Sequence, residues 1–434
     1  MEENKLINKL KNKFDSFDVY QVESTDVSVD FTSRRGIVSA EQNQTRGLAI
    51  RAFQNGIMGF TSTLDFTNED KVIQNLKESI QFGQKVNYKL PKPSSNGENV
   101  SGTKFLEIAE LKEISEKLNE KLKKISSEFE FKGGLSSSRS KMSLTNSNDV
   151  NIYQDFSFTY GMIQFSKTTQ NDVIMDGEHF DPKKFDDSEI DALIENISKR
   201  VVLLNKLESL NPKKMPVVFS PQGSKIITSS LISHLNGYSI YQKTSPLVGK
   251  IGEKLFDEKF SILDDPTCET GIGSRTHDDE GTKSIKMPFI ENGVVKNFYH
   301  SLKTANLTNS EPTGHGMRGG INNLPSPSKS NILVQEGEIS FEEMISDIKE
   351  GMLVDSVIGQ GMANTLNGDF SNSVGMAFKI ENGKVVGRVK GYAIAGNIYQ
   401  MLKNINGISK DNESFFGSYV APYLRFDEMN VVGG

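Results

Sequence analysis

The sequence predicts an α+β protein of two domains, 1–210 and 211–434, with mixed and antiparallel sheets, hairpins and flanking helices. Three observations predict it. Apolar–polar alternating runs meet at Asn55-Gly56, Asn292-Gly293 and Asn382-Gly383, and Asn-Gly favours the type I′ turn of an antiparallel hairpin. Helical periodicities follow blocks of strands instead of alternating with them, which argues against a parallel doubly wound sheet. A chain of 434 residues exceeds one ordinary core, and Asn211-Pro212-Lys213-Lys214 is a plausible break.

Taken in order, Leu6, Ile7, Leu10 and Phe14 give an amphipathic helix over 2–15. Residues 16–62 alternate as strands, as in Val27–Phe31 and Gly47–Phe53. Thr67-Asn68-Glu69-Asp70 starts a capped helix through Val72, Ile73, Leu76 and Ile80. Pro91, Pro93 and the Ser94–Gly97 run mark a loop. Residues 104–126 form a helix whose lysines and glutamates read as its solvated face. Residues 127–169 read as two or three strands, Asp176–Asp181 as a polar loop, and Asp187 to about Leu207 as a helix. In the second half, Ser220 caps a helix with Pro221 at its first position, Ile227, Leu231 and Leu235 on its buried stripe, and Gly237 past its end. Phe341–Lys349 and Ala395–Asn404 complete the helices.

Composition narrows the function. A net charge of −6 with a pI near 5.6 gives no global attraction to nucleic acid or anionic membrane. The single cysteine, Cys268, excludes an internal disulfide framework. The N-terminal residues lack a secretory layout, and no apolar run approaches the roughly 20 residues of a membrane span, so a cytoplasmic protein is expected.

The chemistry-bearing candidates are sparse. None of the five histidines, His179, His234, His277, His300 and His315, has another within helical reach, so no helical zinc pair exists. Arg275-Thr276-His277-Asp278-Asp279-Glu280-Gly281 is the densest polar cluster and reads either as an acid/base or metal half-site or, preferably, as a solvated turn before a strand over 282–290. Gly314-His315-Gly316-Met317-Arg318-Gly319-Gly320 looks like an anion-holding loop but lacks a P-loop ending. Gly359-Gln360-Gly361 and Asn367-Gly368-Asp369 fit turns as readily as ligand contacts.

Several motifs occur together in one order: Arg46–Ala52, Asn55–Thr63, Asp279-Glu280-Gly281-Thr282, Ile290–Gly293, Pro312–Gly316, Gly359–Gly361, Asn367–Ser371 and Ile394-Ala395-Gly396-Asn397. In these the chain resembles the TldD/PmbA family, and its PmbA (TldE) branch more than the TldD branch. The resemblance implies a metallopeptidase pair, in which TldD-like subunits carry a His-Glu-x-x-x-His zinc helix and PmbA-like subunits lack it. It also implies links to peptide-antibiotic maturation, antitoxin turnover and modulation of DNA gyrase. Thr228 and Ser233 then stand at the histidine positions, Ser229 at the glutamate position, and Phe416 near the position of a further cysteine ligand. A hydroxyl is a poor zinc ligand at neutral pH and cannot replace a carboxylate as general base.

The expectation is a non-catalytic subunit that holds unfolded peptide for a zinc-bearing TldD-like partner, as a homo- or heterodimer, with zinc in the partner and no cofactor, nucleic acid or membrane for this chain. Strand addition on the C-terminal hairpin edges is the expected mode of peptide binding. Two alternatives stay open: a self-sufficient hydrolase around Cys268, His277, Asp279 and Glu280, and a non-hydrolytic module for peptide or gyrase. His315 and Asn397 are further cleft candidates.

Overall fold

The computed structural model describes residues 3–93, 102–181, 185–268, 271–359, 367–415 and 417–433, so the readings at Ser94–Gly97, Gln360, Gly361 and Phe416 lie outside it. In the first half, α1 (Glu3–Lys11), α2 (Glu69–Gln81), α3 (Ile108–Leu122) and α4 (Asp187–Leu204) accompany one antiparallel sheet. Its strands are β1 (Ser16–Thr32), β2 (Gly36–Gln54), β3 (Ile57–Thr63), β4 (Gln84–Lys85), β5 (Glu130–Asn146), β6 (Asn151–Thr168) and β7 (Val173–Phe180), in the order β4-β3-β2-β1-β5-β6-β7. Local chemistry places these elements. The Asn68 side chain accepts the Lys71 N–H at 3.0 Å and starts α2. Asn55 and Gly56 both take positive φ, 53° and 75°, and close the β2–β3 hairpin.

The second half holds a mixed sheet of β8 (Lys214–Phe219), β9 (Ile262–Asp264), β10 (Met287–Glu291), β11 (Val294–Val295), β14 (Ile332–Val334), β15 (Glu350–Val357), β16 (Asp369–Glu381), β17 (Lys384–Val389), β18 (Tyr392–Asn397), β19 (Gly407–Phe415) and β20 (Tyr419–Gly433). A small ribbon, β12 (Gly316–Met317) with β13 (Ser326–Pro327), stands apart. The helices are α5 (Lys225–His234), α6 (Gly237–Tyr241), α7 (Leu302–Thr308), α8 (Phe341–Ile345) and α9 (Ile398–Lys403). β20 pairs with β18 on one edge and β8 on the other, and β8 pairs with β15, β15 with β16 and β16 with β18. These strands therefore close into a ring, which removes most of the edges that a hairpin-only architecture offers.

One core cluster runs through both halves, joining Val27, Phe31, Leu118 and Phe165 to Leu353, Phe378 and Ile380. Among the described residues no helix is long and apolar enough to cross a membrane.

Five local expectations change. Asp176–Phe180 is not a loop but part of the edge strand β7, held by backbone pairing to β6 in spite of its polar sequence. α5 begins at Lys225, because Ser220–Ser224 form a turn in which the Gly223 N–H donates to the Ser220 hydroxyl at 3.1 Å. Gly237 does not end that helix: α6 begins there, and a Cβ would meet His300 Nδ1 at 2.2 Å. Ala395–Asn397 belong to β18, with Asn397 capping α9, and of the expected 282–290 strand only 287–290 forms, within β10.

Candidate functional site

α5 is amphipathic. Ile227, Thr228, Leu231 and Ile232 are buried, whereas Ser229 and Ser233 are exposed. Positions 228 and 233 lie about 140° apart around a helix of 3.6 residues per turn, and here the first faces the core and the second solvent. Thr228 Oγ1 donates to the Ser224 carbonyl at 3.1 Å and lies 2.7 Å from the Tyr419 hydroxyl, which is also 2.9 Å from Ser224 Oγ. Burial pushes the Tyr419 phenol up to about 12, so it stays a neutral hydrogen-bonding group. The Ser233 hydroxyl turns back onto the Ser230 carbonyl at 2.6 Å.

A zinc ion asks for imidazole, thiolate or carboxylate donors, and these three positions present none. Among the described residues no group of three or more His, Cys, Asp or Glu side chains is placed to hold a metal. The donor set of α5 does not fit zinc. A cation does stand there: Lys225, in the first turn, lies with Nζ 3.7 Å from the centre of the Phe415 ring.

The Arg275–Gly281 cluster contradicts its reading as a solvated turn. Arg275, His277, Asp278, Asp279 and Glu280 are all buried, at the seam between the two halves. Their solvent is replaced by fixed partners. Arg51, on β2, donates through Nε to Asp18 Oδ2 at 2.8 Å and through Nη1 to Glu280 Oε1 at 2.6 Å, and its Nη2 also reaches Asp18. Glu280 Oε2 accepts the Leu302 N–H at 2.7 Å. Arg51, Asp18 and Glu280 are each no more than 1% exposed. Burial disfavours the Arg51 charge, but Asp18 and Glu280 outweigh it and hold the guanidinium firmly protonated.

Asp278 accepts the backbone N–H groups of Glu280, Thr282 and Gly316, while burial and Glu280 push its carboxyl up. Asp279 accepts the Arg318 N–H at 2.8 Å, and burial likewise raises its carboxyl. Gly316 fits only without a side chain, since a Cβ would lie 2.0 Å from Glu280 Oε2.

His315 is not an open loop group. Its Nδ1 lies 2.7 Å from the Thr313 carbonyl and its Nε2 lies 3.1 Å from Asp264 Oδ2, so both ring nitrogens are engaged. His277 is 2% exposed, with Nδ1 3.1 Å from the Thr276 hydroxyl, and burial lowers its pKa. Cys268 is half-buried and its carbonyl accepts from the Ser274 hydroxyl. Asn397 accepts the Gln400 N–H at 3.1 Å and donates to the Asn367 carbonyl and Asp369 Oδ1, both at 2.7 Å, as a helix cap and turn clasp. Thus the structure joins Asp279 and Glu280 in one buried network, places His315 in a neighbouring one, and leaves Asn397 apart. Sequence reading missed Arg51, Asp18 and Lys225. Arg51 lay inside a motif but carried no sign of a partner 229 residues away.

Fold and site together define a class: an α+β protein whose two large sheets are linked by a buried charge network, with an amphipathic helix, α5, that carries hydroxyls. The comparisons identify the family. Residues 17–81 match the PmbA/TldA metallopeptidase domain 1 and residues 212–433 the PmbA/TldA metallopeptidase C-terminal domain, so the chain belongs to the PmbA/TldD family. An uncharacterised protein of Methanocaldococcus jannaschii is 29% identical over 94% of each chain. A metalloprotease PmbA homologue of Buchnera aphidicola is 25% identical over 94% of this chain and 93% of its own. The crystal structure of TldE from Thermococcus kodakarensis superposes with a TM-score of 0.88 over 99% of both chains at 23% identity, which speaks to the shared fold.

Proposed function

We propose that this chain is a PmbA/TldE-type subunit of a TldD-type metallopeptidase system, non-catalytic by itself, that helps to hold unfolded peptides for a zinc-bearing partner in the cytoplasm. The observation that carries the reading is the furnishing of α5. Thr228 is committed to Tyr419, Ser229 and Ser233 face solvent, and none of the three offers a zinc ligand or a general base. The names of relatives support the peptidase context, because the Buchnera protein is called a metalloprotease PmbA homologue.

The reading of Cys268, His277, Asp279 and Glu280 as a self-sufficient hydrolytic site finds less support. Asp279 and Glu280 are buried and committed to structural partners in the seam. A site must admit both substrate and water to act on a peptide. The test is cleavage of an unfolded reporter peptide by the pure chain, by a TldD-type protein, and by their mixture. Activity confined to samples containing the partner, and raised by this chain, supports the proposal; chelator-sensitive cleavage by the pure chain overturns it.

A further inference from the structure

α5 presents Lys225, Ser229 and Ser233 at i, i+4 and i+8, a spacing that puts them on one face of the helix. The Lys225 ammonium is half-buried, 3.7 Å from the centre of the Phe415 ring and 5.3 Å from that of Tyr419. Among the described residues it makes neither a hydrogen bond nor an ion pair. Asp181 is the carboxylate whose field favours its charge against the stronger effect of burial, and Asp181 Oδ2 accepts the Gly417 N–H at 2.8 Å and the Ser414 hydroxyl at 3.2 Å. His179, on the edge strand β7, approaches from the other half of the molecule and packs edge-on against Phe415 at 6.4 Å. Burial lowers the pKa of this imidazole, and the charge of Lys225 lowers it further.

A cation half taken out of water, with a carboxylate in its field but none in ion-pair contact among the described residues, is still costly, and an aromatic face offsets only about 0.5–2 kcal/mol of that cost. Such a group gains most from an anion brought by a ligand. Desolvation lowers the Lys225 ammonium to about 8, so it still carries its charge at neutral pH.

We propose that Lys225 and the Ser229 hydroxyl form a carboxylate-binding subsite at the junction of β7, α5 and the β19–β20 hairpin, which anchors a peptide by its C-terminal carboxylate or an acidic side chain. The ammonium supplies the charge, Ser229 one turn on supplies a hydroxyl donor, and the rings of Phe415 and Tyr419 supply an apolar wall beside the anion. This assignment rests on the peptide-holding reading and names the chemistry that the site selects.

The test measures binding of fluorescein-labelled unfolded decapeptides by anisotropy in pairs: a free C-terminus against its amide, and an amidated peptide with an internal Glu against the same peptide with Gln. Wild-type protein, Lys225→Met, Lys225→Arg and Ser229→Ala are compared, alone and mixed with a TldD-type protein. The expected result is roughly 10-fold weaker binding when the recognised carboxylate is neutralised in one pair or the other, the scale of one charge-assisted hydrogen bond. Lys225→Met erases that discrimination and Lys225→Arg keeps most of it. The pair that discriminates tells terminal from side-chain recognition. Equal affinities within both pairs overturn the subsite and leave the peptide-holding reading standing; no binding of any peptide overturns both.

Discussion

Replacing Arg51 by Met tests whether the seam network holds the two halves together. The substitution keeps the apolar length of the side chain and removes its charge and donors. Asp18 is then left with the Arg318 guanidinium, whose Nη2 stands 3.7 Å from Oδ1, and Glu280 with the Leu302 N–H. Both carboxylates remain fully buried. Breaking a buried pair from one side typically costs about 3–5 kcal/mol, because it strands a charge in a medium that solvates it poorly. Two carboxylates are stranded here, so the upper part of that range is expected, a third or more of the roughly 5–15 kcal/mol that stabilises an ordinary domain. The chain has no tryptophan, so far-UV circular dichroism in urea is the suitable assay. The Arg51→Met, Glu280→Gln double variant should recover part of the loss, since neutralising one stranded carboxylate removes part of the penalty. A loss below about 1 kcal/mol for Arg51→Met, with no coupling to Glu280→Gln, refutes the argument.

Further outcomes follow from the same physics. Gly316→Ala drives a methyl into Glu280 and should cost about 2 kcal/mol or more by urea denaturation, whereas Gly36→Ala, with nothing within 4 Å of its Cβ, should cost less in spite of its positive φ. Glu178 lines a cavity of about 230 Å³ with Glu413, Arg200, Asp355 and Tyr423, and burial followed by the charge of Glu413 raises its carboxyl to about 7. A carboxyl that titrates at about 7 folded against 4.5 unfolded binds more protons in the folded state between those values, so stability falls as pH rises across that window. Glu178→Gln should therefore stabilise by about 1 kcal/mol at pH 8, after allowance for solvent screening, and have no effect near pH 4 in melting experiments. Lys225 has the opposite sense: the folded ammonium titrates at about 8 against 10.5, so its penalty is full below 8 and fades as pH rises to 10.5. Lys225→Met should stabilise by about 1 kcal/mol at pH 7 and by nothing at pH 11, where the wild-type amine is already neutral.

The elements most legible in the sequence are those set by local chemistry. Asn68 caps α2, and Asn55-Gly56, Asn292-Gly293 and Asn382-Gly383 all adopt the paired positive φ that their hairpins need. Features set by tertiary pairing were opaque. The segment Asp176–Phe180 is polar enough to pass for a loop, and only its partner β6 makes it a strand. Closure of the ring depends on β20 meeting β8, two strands with no local signal of each other. The Arg275–Glu280 cluster misleads for a related reason. A run of charges ordinarily marks a wet turn, and burial becomes affordable only because Arg51, Arg318 and the Gly316 N–H converge on it from distant parts of the chain. On α5 the hydroxyls are plain from the residue types, but only the packing shows that Thr228 points to Tyr419 while Ser229 and Ser233 face water.

The central claim, that α5 keeps the place of a metal helix without its chemistry, is tested most directly by zinc stoichiometry. The pure chain is dialysed against micromolar zinc, passed over a chelating resin and measured by inductively coupled plasma mass spectrometry beside a TldD-type protein treated in the same way. The account predicts zinc far below one equivalent for this chain and about one for the partner. One tightly held zinc per chain, lost on Thr228→Val or Ser233→Ala, contradicts it.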